Sequence, residues 1–359
     1  MEGDPFDLVA HGNVEFSQEF FRVLTLAETG GVVASPLCCL ISLAMICTGA
    51  KGKSKDKVAE ELRLPRDFKL ALKGLRKMIK LLEKAKKMKL LVANRIYIKD
   101  DELKSIAFTD PSTAVNINKW VSNRTSKKIQ NLVDSNSFND STHMFLVNAI
   151  HFKGVWLKPF KMENTHILPF FTDETNSIQV PFMHQKERFL YKKIEELDAH
   201  MLILSYKGLK VSMAILLPNT TEGLKEMMKK LASVNLRPIL LSGNITAVEV
   251  FLPKFEIETT LDIINVVSRM GLGQIFSENV DLTGISSAEG LKVSKFVQKV
   301  RVEVSEDDIE GDATHSADFL DSEKADSDPV FKCDHPFFFF LVFKFNHIVI
   351  GGQVTNLPK

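Results

Sequence analysis

The chain has 359 residues, of which 45% are hydrophobic, so it can bury a large core as one domain or as two or three smaller ones. Its charges nearly balance, with 46 Lys and Arg against 45 Asp and Glu, which excludes a global charge that would draw it to nucleic acid or anionic lipid. The cysteines have no spacing typical of a zinc site or a disulfide framework, and we interpret them as buried free thiols: Cys38, Cys39, Cys47 and Cys333.

The sequence leaves the cellular compartment open. The first residues, MEGDPFDLVAHGNVEF, lack the basic and apolar regions of a signal peptide, so the protein is either intracellular or secreted with its leader removed. The longest apolar stretches, near 32–50 and 336–350, are interrupted by polar residues and are too short to span a bilayer. We therefore expect no membrane partner and no nucleic-acid partner.

Helices and strands alternate along the chain without the regular cadence of a doubly wound sheet. Helical spacing predicts a helix from Val14 to about Leu26, and Ser35-Pro36 is typical of the start of a second one that ends near Gly49. Further helices are predicted at about 68–89, 114–129, 221–232 and 261–271, and strands at 90–98, 144–156, 200–206, 210–218, 247–258 and 291–304. This order favours an α+β domain with large, mostly antiparallel sheets.

One segment differs from the rest in composition. Residues Ser305 to Pro329, SEDDIEGDATHSADFLDSEKADSDP, are acidic, small and polar, and they lie between two very hydrophobic strands. A connection of this length inside a compact domain is usually a functional loop or a linker. We therefore predict an exposed functional loop.

The chain resembles the serpin family, because a dozen short motifs occur in the family's order over nearly the whole length. The motifs include VVASPLCCLISLAMICTGAKGKSKDKVAEEL, LLVANRIYI, INKWVSNRTSKKI, LVNAIHFKGVWLKPF, LPKFEIE, LKVSKFVQKVRVEV, FKCDHPFFFFLVF and IVIGGQVTNLP. The stretch between Ile98 and Phe108 is shorter than in most serpins, so that side of the molecule is expected to be trimmed.

The resemblance implies a single α+β serpin domain over residues 1–359, with three β-sheets, about eight helices and an exposed reactive-centre loop at about 305–330. A serine or papain-like cysteine protease would cut this loop and form an acyl-enzyme. The cut loop would then enter the main sheet as a new strand and trap the protease in a 1:1 covalent complex. A monomer without cofactor or metal is expected.

Two alignment anchors place the bond that the protease cuts. In the family alignment the residue before the cut lies sixteen positions after the residue matched by Glu306 and fourteen positions before the one matched by Pro336. Both counts reach Ser322, so cleavage is predicted between Ser322 and Glu323. Loop lengths vary in the family, and Leu320, Asp321 and Lys324 stay as alternatives. Lys324 would suit a trypsin-like pocket and Phe319 or Leu320 a papain-like one, so both protease classes stay open.

The aligned hinge departs from the small-residue pattern of inhibitory serpins. It comprises Glu306, Asp308, Ile309, Glu310, Gly311, Asp312, Ala313 and Thr314. In the family register Ile309, Gly311, Ala313 and His315 would face inward on insertion, which leaves the carboxylates in solvent. Asp308 and Ile309 would slow insertion, so a non-inhibitory serpin with a binding or storage role is the alternative.

A further group of residues is implied to control the opening of the main sheet. Positions that match the family's cluster beneath this sheet are Ser35, Cys38, Asn148 and Gln298, with Trp156 assigned to the same region. Cys38 and Gln298 replace a serine and a histidine, and Gln298 can still donate and accept hydrogen bonds. A rearranged cluster is expected.

The basic helix and the histidines leave two other hypotheses to weigh. Lys73, Arg76, Lys77 and Lys80 fall on one helical face, which is either a site for sulfated polysaccharide or a solvated surface opposite the apolar stripe.

A hydrolase is disfavoured because the chain has no G-x-S-x-G motif. His335 beside Asp334 and His151 are interpreted as structural residues, not as a catalytic dyad or a metal ligand.

Overall fold

The computed structural model describes residues 4–65, 67–84, 90–99, 106–208, 210–286, 290–306, 328–344 and 346–357. The described residues form eight α-helices: α1 Pro5–Ala27, α2 Pro36–Gly49, α3 Gly52–Glu61, α4 Phe68–Lys84, α5 Ser112–Arg124, α6 Leu224–Leu231, α7 Leu236–Leu241 and α8 Ile263–Arg269. Their strands are β1 Val32–Ala34, β2 Leu90–Ile98, β3 Met144–Lys153, β4 His166–Phe171, β5 Ser177–Ile194, β6 Ala199–Ser205, β7 Val211–Pro218, β8 Asn244–Pro253, β9 Phe255–Asp262, β10 Val293–Val304, β11 Val330–Lys332, β12 Phe337–Phe343 and β13 His347–Val354.

The helix boundaries follow local capping chemistry. Ser35 caps α2, whose Cys38 N–H donates to the Ser35 hydroxyl, as the Ser-Pro pair predicted. The predicted start of the first helix at Val14 was wrong, because the Asp4 side chain caps a helix that begins at Pro5. The predicted helix over 114–129 was too long at its C-terminal end. Ser126 and Lys127 have positive φ angles there, and α5 ends at Arg124.

The strands form two sheets. The four-stranded sheet has the order β2-β3-β10-β9, and we call it the main sheet because it is the one the resemblance implies the loop would enter. The larger sheet has the order β1-β13-β12-β7-β6-β5-β8-β11, and β4 pairs with β5 beside this path. Two of the three predicted sheets are joined into the larger sheet, because the long strand β5 pairs with β4 at its start, with β8 through its middle and with β6 at its end. The predicted strand over 247–258 is two strands, β8 and β9, which belong to different sheets.

The inner strand β3 of the main sheet is buried on both faces. One face packs on the large core that contains α1, α2 and much of the larger sheet, and the other packs on a smaller cluster under α5. The strand β3 therefore has no solvent-exposed residue between Met144 and Phe152, which explains its largely apolar sequence. Even-numbered residues of β3, and of β10 after its irregularity at Val293–Lys295, face α2, and odd-numbered residues face α5.

Candidate functional site

The strands β3 and β10 are the only parallel pair in the main sheet within the described residues. They pair from Met144 with Val293 to Lys153 with Glu303, whereas β2 and β9 pair antiparallel on the two outer sides. Parallel neighbours cannot be joined by a hairpin, and a strand placed between them could run antiparallel to both. The β3–β10 boundary is therefore the place in this sheet where one further strand fits the polarity.

A hydrogen-bonded cluster lies on the α2 face of this boundary. Gln298 Oε1 accepts from the Ser35 N–H at 2.7 Å, and Gln298 Nε2 donates to Ser35 O at 3.0 Å and to Asn148 Oδ1 at 3.2 Å. The Ser35 hydroxyl donates to Val349 O at 2.6 Å. These side chains are fully buried. The cluster links α2 and β13 to both strands of the boundary.

Two members of this cluster were missed by sequence reasoning. Asn148 Nδ2 donates to Ser42 Oγ at 2.9 Å and to Asn94 Oδ1 at 3.1 Å. Ser42 interrupts the apolar run of α2 and Asn94 interrupts that of β2, and a small polar residue within an otherwise apolar run is the signal that could have found them.

Cys38 lies in the first turn of α2, beside the cluster. Its side chain is fully buried, and this burial raises the pKa of its thiol to about 11 although contacts with Ser35 and Asn94 lower it. The thiol therefore stays protonated at neutral pH and behaves as a small apolar group.

Trp156 does not join this cluster. It stacks on Tyr206 with 4.3 Å between ring centroids, and its Nε1 donates to Ser305 O at 3.0 Å. Ser305 lies seven residues beyond Gln298, about 23 Å at the usual rise of a strand. The predicted sheet-opening residues thus occupy two places, with Trp156 at the end of β10 where the acidic segment begins.

Glu306 lies at that end, in a polar pocket of its own. Its carboxylate lies 2.6 Å from Lys254 Nζ and accepts a hydrogen bond from the Thr165 hydroxyl, and the residue is only 5% exposed. Burial raises the pKa of this carboxyl, but the hydrogen bonds from Lys254 and Thr165 outweigh it, so the pKa lies below its ordinary value. These contacts hold the residue from which the acidic segment departs.

The remaining hinge and cleavage residues lie outside the described residues. They are Asp308, Ile309, Glu310, Gly311, Asp312, Ala313, Thr314, Phe319, Leu320, Asp321, Ser322, Glu323 and Lys324.

The histidines have structural contacts. His335 Nδ1 lies 2.9 Å from Asp334 Oδ1 and its Nε2 lies 2.9 Å from Pro218 O, at the entry to β12. His151 is buried on β3, 2.8 Å from Glu303 of β10. No group of three or more His, Cys, Asp or Glu side chains suited to a metal ion occurs among the described residues.

The basic face of α4 is exposed. Lys73, Arg76, Lys77 and Lys80 all point to solvent, and the buried side of the helix carries Leu75, Met78 and Leu82. Lys77 forms an ion pair with Asp4, so part of its charge is neutralised.

The family comparison agrees with this arrangement over almost the whole chain. A family model described as Serpin (serine protease inhibitor) matches residues 11–357. The chain belongs to the serpin family. Its relatives include a horse (Equus caballus) leukocyte elastase inhibitor, 32% identical over 92% of this chain and 94% of the relative.

Solved serpin structures match the fold. Serpin48 of the insect Tenebrio molitor superposes with a TM-score of 0.85 at 28% identity and covers 100% of both chains. Native protease nexin-1 with heparin superposes with a TM-score of 0.85 at 25% identity, covering 98% of this chain and 100% of the other. The predicted serpin fold is confirmed, and the family is one of protease inhibitors and not of enzymes. None of the helices described in this serpin is both long and apolar enough to cross a membrane.

Proposed function

We propose that this serpin inhibits a serine or papain-like cysteine protease as a suicide pseudo-substrate. The protease nucleophile attacks the carbonyl carbon of Ser322, the Ser322–Glu323 peptide bond breaks, and Glu323 leaves with a new amino group. The acyl-enzyme formed on Ser322 is then carried across the molecule as the loop of about 305–330 enters the main sheet. Leu320, Asp321 and Lys324 stay as alternative positions for the cut.

The parallel pairing of β3 and β10 is the observation that carries this proposal. A segment that turns back after Glu306 would run antiparallel to β10, and the same direction is antiparallel to β3. Insertion would therefore replace one parallel pairing by two antiparallel ones and add a strand's backbone hydrogen bonds. That gain is the source of free energy for displacing the protease.

The relatives support an inhibitory role. The horse relative is named as an inhibitor of leukocyte elastase, and it aligns with nearly the whole chain. Glu306 is anchored by Lys254 and Thr165 immediately before the proposed hinge, as a loop that pivots at a fixed point requires.

Incubation with a panel of serine and papain-like cysteine proteases tests the proposal. An adduct of serpin and protease that survives SDS is expected with at least one protease, and mass spectrometry of the separated C-terminal fragment should show an N-terminal Glu323. Cleavage of the loop by every protease without any adduct would contradict the inhibitory mechanism.

A non-inhibitory role is the competing function, and the hinge sequence favours it. Asp308 and Ile309 stand where inhibitory serpins carry smaller residues. If these residues slow insertion, water hydrolyses the acyl-enzyme first and the protease escapes. Restoring small residues, as Asp308→Gly with Ile309→Thr, should then convert clean cleavage into adduct formation.

We also propose that α4 binds a sulfated polysaccharide through Lys73, Arg76, Lys77 and Lys80. Exposed cations on one helical face match the spacing of a polyanion, and the nexin-1 structure was determined with heparin. Binding to immobilised heparin should weaken steeply with salt, and Lys73→Glu with Lys80→Glu should abolish it. Lys225→Glu with Lys229→Glu on α6 is the matched control and should leave binding unchanged; equal losses would contradict the site.

A further inference from the structure

A second set of side chains crosses the β3–β10 boundary on the α5 face. His151 Nε2 lies 2.8 Å from Glu303 Oε1, and Lys153 Nζ lies 3.7 Å from Glu303 Oε2. His151 and Lys153 belong to β3 and Glu303 to β10, so both contacts join the two strands. The side chains of His151 and Glu303 are 2% and 14% exposed, so solvent screens this interaction weakly.

The segment that follows α5 is fastened to the same face. Lys128 Nζ lies 4.0 Å from Glu303 Oε1, and Lys128 O accepts a hydrogen bond from Arg301 Nη1 at 3.2 Å. Lys299 Nζ donates to Gln130 O at 3.0 Å. This segment therefore lies over the boundary and is held there by residues of β10.

The protonation states make the central contact a charge-assisted hydrogen bond. Burial lowers the pKa of His151 although Glu303 raises it, so the imidazole is neutral at pH 7 and Nε2 carries the proton. Burial raises the pKa of Glu303, but the hydrogen bond from His151 and the charges of Lys128 and Arg301 outweigh it, so the carboxylate is ionised. His151 Nδ1 has no hydrogen-bond partner in the part of the chain that the structure describes.

Strand insertion and this contact exclude each other. Neighbouring strands lie about 4.8 Å apart, so a strand between β3 and β10 would separate them to about 10 Å, too far for the hydrogen bond from His151 to Glu303. The ion pair of Lys299 with Glu258, at 2.8 Å, joins β10 to β9 and would survive. Only contacts across the β3–β10 boundary must break.

We propose that His151 and Lys153 of β3 form with Glu303 of β10 a cross-strand latch whose release limits the rate of loop insertion. This inference rests on the proposed function. A slower release gives water more time to hydrolyse the acyl-enzyme, so the latch sets how many proteases are trapped and how many escape.

Uptake of a synthetic peptide with the sequence of residues 307–321 tests the latch on the intact protein. The rate is followed by fluorescence anisotropy of the labelled peptide for wild type, Glu303→Leu, Glu303→Gln and the matched control Glu258→Leu. Hydrogen bonds to charged groups contribute roughly 1.5–3 kcal/mol, so Glu303→Leu should accelerate uptake about tenfold or more. Glu303→Gln keeps a hydrogen-bond acceptor, so its uptake rate should lie between those of wild type and Glu303→Leu. The uptake rate of Glu258→Leu should stay within about twofold of wild type.

The double variant separates a latch from general destabilisation. His151→Phe removes the same contact from β3, so His151→Phe with Glu303→Leu should be little faster than either single variant, whereas independent destabilising effects would multiply. Multiplying rates, or equal rates for Glu303→Leu and Glu258→Leu, would overturn the latch alone. If wild type and all variants take up no peptide, insertion itself is absent, and the proposed function falls with the latch.

Discussion

The two faces of the β3–β10 boundary are held by different chemistry. On the α2 face, Gln298 and Asn148 join the strands to Ser35 through neutral, fully buried hydrogen bonds. On the α5 face, His151 and Glu303 join them through a charged group. The neutral cluster contains no group that titrates near neutrality, whereas the contact on the α5 face joins two titratable side chains, so the stability of the two faces should respond differently to pH.

The largest effect is expected from the neutral face. Gln298→Leu leaves the Ser35 N–H, Ser35 O and Asn148 Oδ1 without this partner in a buried site, so the free energy of unfolding should fall by at least about 3 kcal/mol in chemical denaturation. Gln130→Leu makes the same change at an exposed glutamine and should cost less than about 0.5 kcal/mol. Similar losses for both would show that the cluster contributes little.

A smaller effect is expected at the end of β10, where charge can be removed with little change of shape. Glu306→Gln should lower the free energy of unfolding by about 2 kcal/mol at pH 7, because Lys254 loses its buried counter-charge. The folded pKa of Glu306 is below its ordinary value of 4.5, so this contribution is complete above that pH and is lost as pH falls through the folded value.

Unfolding of wild type and Glu306→Gln should therefore be compared at pH 7 and in acid. The difference between them should disappear at low pH, while the exposed Glu226→Gln should match wild type throughout. A difference that persists unchanged in acid would mean that shape, and not the ion pair, anchors Glu306.

The smallest effect is expected from the titration of His151. Its folded pKa is below the ordinary 6.5, so the unfolded chain binds more protons and stability falls as pH decreases from about 6.5 towards the folded value. Wild type should therefore lose more stability than His151→Phe between pH 7 and pH 5. Equal losses, measured by denaturant unfolding at both pH values, would show that His151 does not titrate in this range.

Much of the fold was predictable from the sequence, because local patterns determined it. The largely apolar sequence of β3 and the two-residue alternation of β10 predicted a strand at each place. The start of α1 at Pro5 was missed although Asp4-Pro5 is a helix-start signal. The division between β8 and β9 at Lys254 was missed because an apolar strand pattern continues through the change of sheet.

The site was less predictable, because its contacts join distant parts of the chain. Motif alignment found Ser35, Asn148 and Gln298, and the structure brings them together. His151 was correctly interpreted as a strand-face residue, but no local pattern connects it with Glu303, which lies 152 positions away. Trp156 was grouped with the cluster from alignment alone, and an alignment does not show how far apart two side chains lie in the folded protein.

The position of β12 and β13 has a consequence for how a cut molecule behaves. Both strands follow the proposed cleavage position, and both lie inside the larger sheet, where β12 is paired with β7 and β13 with β1. A nick before them severs the polypeptide but leaves the two pieces interlocked. The damaged molecule should keep the mass of the intact one under native conditions and come apart only when it is unfolded.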